Sequence, residues 1–243
     1  LSKPRRPVLA VIPAYNEAAT VADVVRGVIE HAGCDVLVVS DAGSDDTPAQ
    51  ARAAGATVIE LPLNLGAWGA TQTGMRYAQR HGYGAVVTLD ADGQHHPETL
   101  PALLAALARG DADVVIGTFA QRLSRAKRFA WWYFRVLTGL PVQDFTSGLR
   151  AYDRRAVRTL ASREASLLDY QDMGVLMLLN QKGFRLSELE TPMSPRKTGM
   201  SRVFASWFVV ARYMLHTTVL CFARLDVRGR IAQRVAARAR AAA

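Results

Sequence analysis

The stretch Ala85-Val86-Val87-Thr88-Leu89-Asp90-Ala91-Asp92-Gly93-Gln94-His95 decides the fold. Its first half is apolar and β-branched, the pattern of a short buried strand. Its second half delivers carboxylates at positions i and i+2, which an extended chain turns to the same side. Gly93 then ends the strand and lets the backbone turn. Two carboxylates set side by side repel unless a cation lies between them. Oxygen donors of this kind suit Mg²⁺ or Mn²⁺, with positions left for water and phosphate oxygens. Gln94 adds a third, neutral oxygen. An isolated Asp-x-Asp also serves as a solvated turn or a helix N-cap, so the flanking segments have to decide.

On the N-terminal side, strands are expected at Val8-Leu9-Ala10-Val11-Ile12, stopped by Pro13, at Val36-Leu37-Val38-Val39 and at Thr57-Val58-Ile59-Glu60. The strand of the opening stretch is expected to run from Val86 to Asp90, and another covers Val114-Val115-Ile116-Gly117. Helical spacing fills the gaps at 18–31, from Thr47-Pro48 onward, at 65–81 and at 97–109. This alternation predicts an α/β fold, a mostly parallel, doubly wound sheet with helices on both faces. Ligands of such sheets bind beyond the carboxyl ends of the strands. Pro13 to Glu17, Ser40-Asp41 and Asp90 to Asp92 therefore converge. Beyond Gly117 come a basic, aromatic segment at 122–139, a polar stretch at 143–150, a helix at 169–182, a strand at 184–190 and a basic loop at 195–202.

The net charge of +9 is localised. Arg122 to Arg135 holds five basic residues and no acid, and Arg224 to Ala243 holds six arginines against Asp226 alone. The rest of the chain is near neutral. Two basic segments on a neutral body point to an anionic membrane surface rather than to nucleic acid. Val203 to Ala223 is an apolar helix of spanning length, but Arg212 and His216 interrupt it. A charge at mid-membrane costs about 2.5–3.5 kcal/mol, so this helix is expected to lie in the interface, followed by an Arg/Ala tail. Trp131, Trp132 and Trp207 fall in these two regions, as interfacial tryptophans do. Polar, basic Leu1 to Pro7 is not the pattern of a secretory leader. Cys34 and Cys221 sit in apolar contexts without metal-ligand spacing, and read as free thiols of a reducing compartment.

Three more segments carry polar groups at strand ends. Pro13-Ala14-Tyr15-Asn16-Glu17 reads either as a turn and helix cap or as a contact to base and ribose. Ser40-Asp41-Ala42-Gly43-Ser44-Asp45-Asp46-Thr47 reads as a solvated capping loop or as a partner for a nucleobase. Asn64-Leu65-Gly66-Ala67-Trp68-Gly69-Ala70 opens a helix with glycines that permit close backbone approach to a phosphate. Each is ambiguous alone. In this order, ahead of Leu-Asp-Ala-Asp-Gly-Gln-His-x-Pro-Glu, they resemble the family 2 glycosyltransferases of GT-A fold, and within them the dolichyl/polyprenyl-phosphate mannosyl- or glucosyltransferase branch. The resemblance continues through Asp144-Phe145-Thr146-Ser147-Gly148-Leu149-Arg150, Glu190-Thr191-Pro192 and Arg196-Lys197-Thr198-Gly199-Met200-Ser201-Arg202.

The resemblance implies a GT-A domain at 1–202 and a membrane-associated segment at 203–243. It implies metal-dependent, inverting transfer of a hexose from a nucleotide-diphosphate sugar, UDP- or GDP-linked, to a polyprenyl phosphate at the cytoplasmic face of the membrane. The alternatives are transfer to a saccharide hydroxyl in cell-surface glycan assembly and a non-catalytic basic membrane- or nucleic-acid-binding protein. Pro13, Tyr15, Asn16, Glu17 and Asp41 would bind the nucleoside, with Asn64 and Gly66 near the phosphates. Asp90, Asp92 and Gln94 would hold Mg²⁺ or Mn²⁺. Ser147 and Arg150 would sit near the acceptor, and Arg196, Ser201 and Arg202 near the diphosphate or the acceptor phosphate. Asp172 stands where relatives place a Glu and is read as a base, an acceptor contact or a plain helix residue. The family's second-strand Asp-Asp-Gly-Ser is here Ser40-Asp41-Ala42-Gly43, so only Asp41 keeps its acid.

Overall fold

The computed structural model describes residues 7–119, 125–168, 173–194 and 218. Apolar runs with β-branched residues form β1 (Val8–Ala14), β2 (Asp35–Ser40), β3 (Thr57–Glu60), β4 (Ala85–Thr88) and β5 (Val114–Thr118). Between and after them come α1 (Val21–Ala32), α2 (Thr47–Ala53), α3 (Gly66–His81), α4 (Leu100–Ala108) and α5 (Arg125–Thr138). The chain closes with β6 (Arg150–Asp153), α6 (Arg154–Leu160), α7 (Met173–Gln181) and β7 (Leu186–Glu190).

The seven strands form one sheet in the order β3-β2-β1-β4-β6-β5-β7. All pairs are parallel except those of β6, which runs antiparallel between β4 and β5. Side chains alternate across the sheet. Leu9 and Val11 of β1 join a core layer with α3, α5, α6 and α7. Ala10 and Ile12 join the other layer, with α1, α2 and α4. The expected α/β architecture with helices on both faces is thus present, with one strand reversed.

Two expected boundaries move. β1 continues through Pro13, which the sequence reading made its stop. Pairing with β4 ends at Val11–Thr88, so Pro13 lies where only β2 remains alongside, and a proline is tolerated at such a position. β4 stops at Thr88, two residues short of the expected Asp90. Residues 203–243, apart from Thr218, lie outside the described residues, as does the expected interfacial helix. Among the described residues no helix is long and apolar enough to cross a membrane. Thr218 is helical, and its Oγ1 lies 3.5 Å from Tyr133 Oη on α5.

Candidate active site

The carboxyl ends of β1, β2, β4 and β5 and the start of the reversed β6 meet at one edge of the sheet. There the loop after β1 is laced to the loop after β2. Asp41 N–H donates to Ala14 O at 2.9 Å. Asn16 adopts φ 57, and its Oδ1 accepts the N–H of Ser44 at 2.8 Å. Glu17 N–H donates to Thr47 Oγ1 at 2.8 Å, and Ala18 N–H to Asp45 Oδ2 at 3.0 Å. Burial works to raise the Asp45 carboxyl, but the Thr47 hydroxyl and the N–H groups of Ala18 and Thr47 outweigh it and hold the group below its ordinary range. Asn16 therefore does not cap α1, whose preceding residue is Thr20. It ties the two loops together and leaves Tyr15 exposed between them.

Asp41 is buried at 3% exposure. Its Oδ1 accepts the N–H of Leu65 at 2.7 Å, and its carbonyl oxygen accepts Asn64 Nδ2–H at 3.1 Å. The acid thus fastens the entry of α3 to the end of β2. These bonds bring the loop from Pro13 to Glu17, Asp41 and the Asn64–Gly66 entry of α3 together at the edge.

The turn after β4 departs from the expected geometry. Asp90 and Asp92 do not share the face of a strand. Gly93 has φ 72, and Asp92 Oδ1 accepts the N–H of Gln94 at 3.1 Å, an Asx turn that curls the backbone back on itself. Asp92 is consequently buried at 6% exposure, whereas the Asp90 side chain is 43% exposed. The turn is also bound to the segment after β7. Ser194 N–H donates to Gln94 O at 2.9 Å, and Gln94 Nε2–H to Ser194 O at 3.3 Å. His96 Nε2 lies 2.7 Å from Ser194 Oγ, and His95 bridges Met193 in antiparallel fashion.

The third segment at the edge is the loop from Asp144 to Arg150. Glu188 of β7 accepts two backbone N–H groups at one oxygen, Gln143 at 2.6 Å and Asp144 at 3.0 Å. Asp144 Oδ1 accepts the N–H of Thr146 at 2.9 Å. The Ser147 hydroxyl donates to Gly117 O. Thr88 Oγ1–H donates to Gly148 O at 2.8 Å, which brings the loop onto the end of β4. A Cβ on Gly148 would stand only 2.5 Å from Asp90 Oδ2. This loop and the Asp90 side chain therefore pack closely, with no room for a side chain on Gly148. Arg150 is wholly enclosed at 0% exposure and donates from Nη2 to Phe145 O at 2.8 Å, so it braces this loop from behind. Glu188 was missed in the sequence because its partners are backbone groups, which leave no side-chain signature.

Asp172, Arg196, Ser201 and Arg202 lie outside the described residues. Among the described residues no group of three or more His, Cys, Asp and Glu is arranged to hold a metal. The donor set of Asp90, Asp92 and Gln94 nonetheless fits a small hard cation. Mg²⁺ takes one or two carboxylates and completes its octahedron with water and substrate phosphate, without a closed protein cage.

The family model described as Glycosyl transferase family 2 matches residues 9–160. The undecaprenyl-phosphate mannosyltransferase of Micrococcus luteus is 37% identical over 172 residues, 63% of this chain and 69% of that protein. The polyprenol monophosphomannose synthase of Mycolicibacterium smegmatis is 29% identical over 226 residues, 84% of this chain and 83% of that protein. Among solved structures, glucosyl-3-phosphoglycerate synthase from Mycobacterium tuberculosis, in complex with phosphoglyceric acid, superposes with TM-score 0.70 at 21% identity, over 91% of this chain and 82% of that one. That likeness shows the fold.

Proposed function

The chain belongs to glycosyl transferase family 2 and is a glycosyltransferase, and on that premise we propose that it moves a hexose from a UDP- or GDP-sugar to a polyprenyl phosphate with inversion at the anomeric carbon. The observation that carries the reading is the contact between Asp90, in the candidate cation turn, and Gly148, in the candidate acceptor loop. The two halves of a transfer reaction must meet within bonding reach, and these halves touch. The named lipid-phosphate transferases among the relatives support the acceptor class.

In this reading the loops after β1 and β2 enclose the nucleoside, and Asn64 and Gly66 bring backbone close to the phosphates. Asp90, Asp92 and Gln94 would hold Mg²⁺ or Mn²⁺, which would supply Lewis-acid stabilisation for a departing diphosphate. Arg196 and Arg202 add positive charge toward the same group, and Ser147 and Ser201 orient the acceptor. Arg150, enclosed behind the loop, contributes by holding it in shape. A phosphate oxygen of the acceptor forms the new bond to the anomeric carbon as the old bond to the diphosphate breaks. The second pKa of a phosphate monoester is about 6, so at neutral pH the acceptor is already largely a dianion. Asp172 then acts as an acceptor contact, since no proton has to be removed. Residues 1–202 carry the catalytic domain. Residues 203–243, with the exposed face of the basic segment at 122–139 that carries Trp132, rest on an anionic membrane surface at its cytoplasmic face, where a polyprenyl phosphate presents its head group; Trp131, read from the sequence as interfacial, is instead buried in the core against Phe145.

A thermal-shift panel of UDP-, GDP- and dTDP-sugars with and without Mn²⁺ tests the donor half, because ligand binding raises the melting temperature by mass action. One donor should stand out, only with metal, and Asp92→Ala should abolish the shift. Label transfer from that donor to polyprenyl phosphate tests the acceptor half. Equal shifts in parent and Asp92→Ala, or transfer to an oligosaccharide but not to the lipid phosphate, would overturn the corresponding half.

A further inference from the structure

His95 stands inside the turn that carries both acids, yet the roles assigned so far leave it without one. Its side chain is almost completely buried, at 4% exposure. Its Nε2 lies 3.2 Å from Asp90 Oδ2. An ionised carboxylate only accepts hydrogen bonds, so the ring nitrogen facing it carries the hydrogen. The backbone of His95 is pinned by its bridge to Met193, and its neighbours Gln94 and His96 are both bonded to Ser194. The backbone that carries the ring is therefore fixed against the segment after β7, and the ring itself is almost wholly enclosed.

Gly148 also lies against Asp90. Both carboxylate oxygens lie within 2.6 Å of where a Cβ on Gly148 would stand. The carboxylate thus meets the His95 ring nitrogen and the close approach of Gly148, while its side chain stays 43% exposed. An unsupported Asp at an exposed turn would sample several rotamers and lose that freedom on binding a ligand.

We infer that His95 is a positioning residue, which holds the Asp90 carboxylate in its binding orientation before the nucleotide and cation arrive. The inference rests on the proposed donor site and deepens it. His95 touches neither substrate nor cation in this role; it acts through Asp90. Hydrogen-bonded supports behind metal-binding groups typically contribute about 10–100-fold in affinity, and His95 is expected to act on that scale.

The test compares two polar substitutions of the full chain. His95→Gln reaches outward to the Nε2 position and keeps an N–H donor there, whereas His95→Asn ends a bond short. Binding is read without turnover, as Mn²⁺ affinity by paramagnetic resonance in the presence of UDP or GDP, and as nucleotide affinity by calorimetry. The melting temperature of each variant is recorded alongside. His95→Asn should weaken Mn²⁺–nucleotide binding by about tenfold or more, and His95→Gln should stay within about threefold of the parent. A purely structural role would move both melting temperatures and would not separate the two variants by affinity. Equal affinities in the two variants, beside a parent that binds, would overturn the inference alone. A parent that binds neither metal nor nucleotide would overturn the donor site and the inference together.

Discussion

Replacing Gly148 by alanine tests the closeness of the two halves of the site. The added methyl would stand 2.5 Å from Asp90 Oδ2, 2.6 Å from Oδ1 and 2.8 Å from Cγ, where ordinary contact begins at 3.4 Å. The overlap is about 0.9 Å, so something must move. Gly148 is not among the glycines of positive φ, so alanine itself is tolerated by the backbone. The Gly148 carbonyl is anchored by the Thr88 hydroxyl. The Asp90 carboxylate is partly exposed and has room to rotate outward, which breaks its contact with His95. Overpacking ordinarily costs about 1–3 kcal/mol. With a side chain free to yield toward solvent, a value near 1 kcal/mol follows, or about 2–4 °C in melting temperature for a chain of this size. The functional loss should be disproportionate, because a misplacement of about 1 Å at a reacting site costs on the order of 100-fold in rate. Melting by circular dichroism and label transfer under saturating acceptor measure the two effects separately. A Gly148→Ala protein that melts within about 2 °C of the parent and keeps more than half its transfer rate would refute the reasoning.

Three other outcomes are expected. Ala42 holds φ 55 in the loop after β2, a conformation that costs an L-residue about 1–2 kcal/mol. Ala42→Gly should therefore stabilise the protein by about 0.5–1 kcal/mol after the entropy of the unfolded glycine is subtracted, read by urea denaturation. Asp45 is held below its ordinary carboxylate range, so its contribution is present above the unfolded value of about 3.9 and is lost as pH falls through the folded one. Asp45→Asn should accordingly cost stability at pH 7 and cease to cost any well below pH 4, in melting curves taken across that range. Burial, with the charge of Asp35 added, pushes the Cys34 thiol up to about 11. Its alkylation at pH 8 should run on the order of 100-fold slower than that of a free cysteine, followed by peptide mass spectrometry.

The N-terminal half of the fold was readable because each of its strands is an apolar run with a helix-periodic segment after it. The strand-end rule then brought the loops of Tyr15, Asp41 and Asp90 to one edge without further information. The side-chain geometry there was not readable. Alternation along a strand predicts Asp90 and Asp92 on one face, but the Asp92 carboxylate captures the N–H of Gln94 and turns the chain before the alternation is complete. Asn16 and Asp41 look like ligand groups and are spent in large part on holding Ser44 and Leu65. The strand Arg150-Ala151-Tyr152-Asp153 was invisible because only its two central residues are apolar or aromatic. Its lone arginine, which the resemblance sets near the acceptor, is fully buried and donates to Phe145 O. Glu188 could be placed on a strand, but nothing in the sequence shows which distant amides it receives.

The reversed strand has a consequence for biosynthesis. Among the described residues, strands β4 and β5 are consecutive in the chain but not paired; β6 occupies the slot between them, and β5 has β7 on its other side. A ribosome that has released residues up to 149 has thus made five strands, of which four can assemble and the fifth has no berth. Until Arg150–Asp153 emerges, the backbone of Val86 and Val87 remains an open apolar margin on the nascent sheet, the kind of margin that recruits foreign chains. Closure of that margin waits on a strand only four residues long.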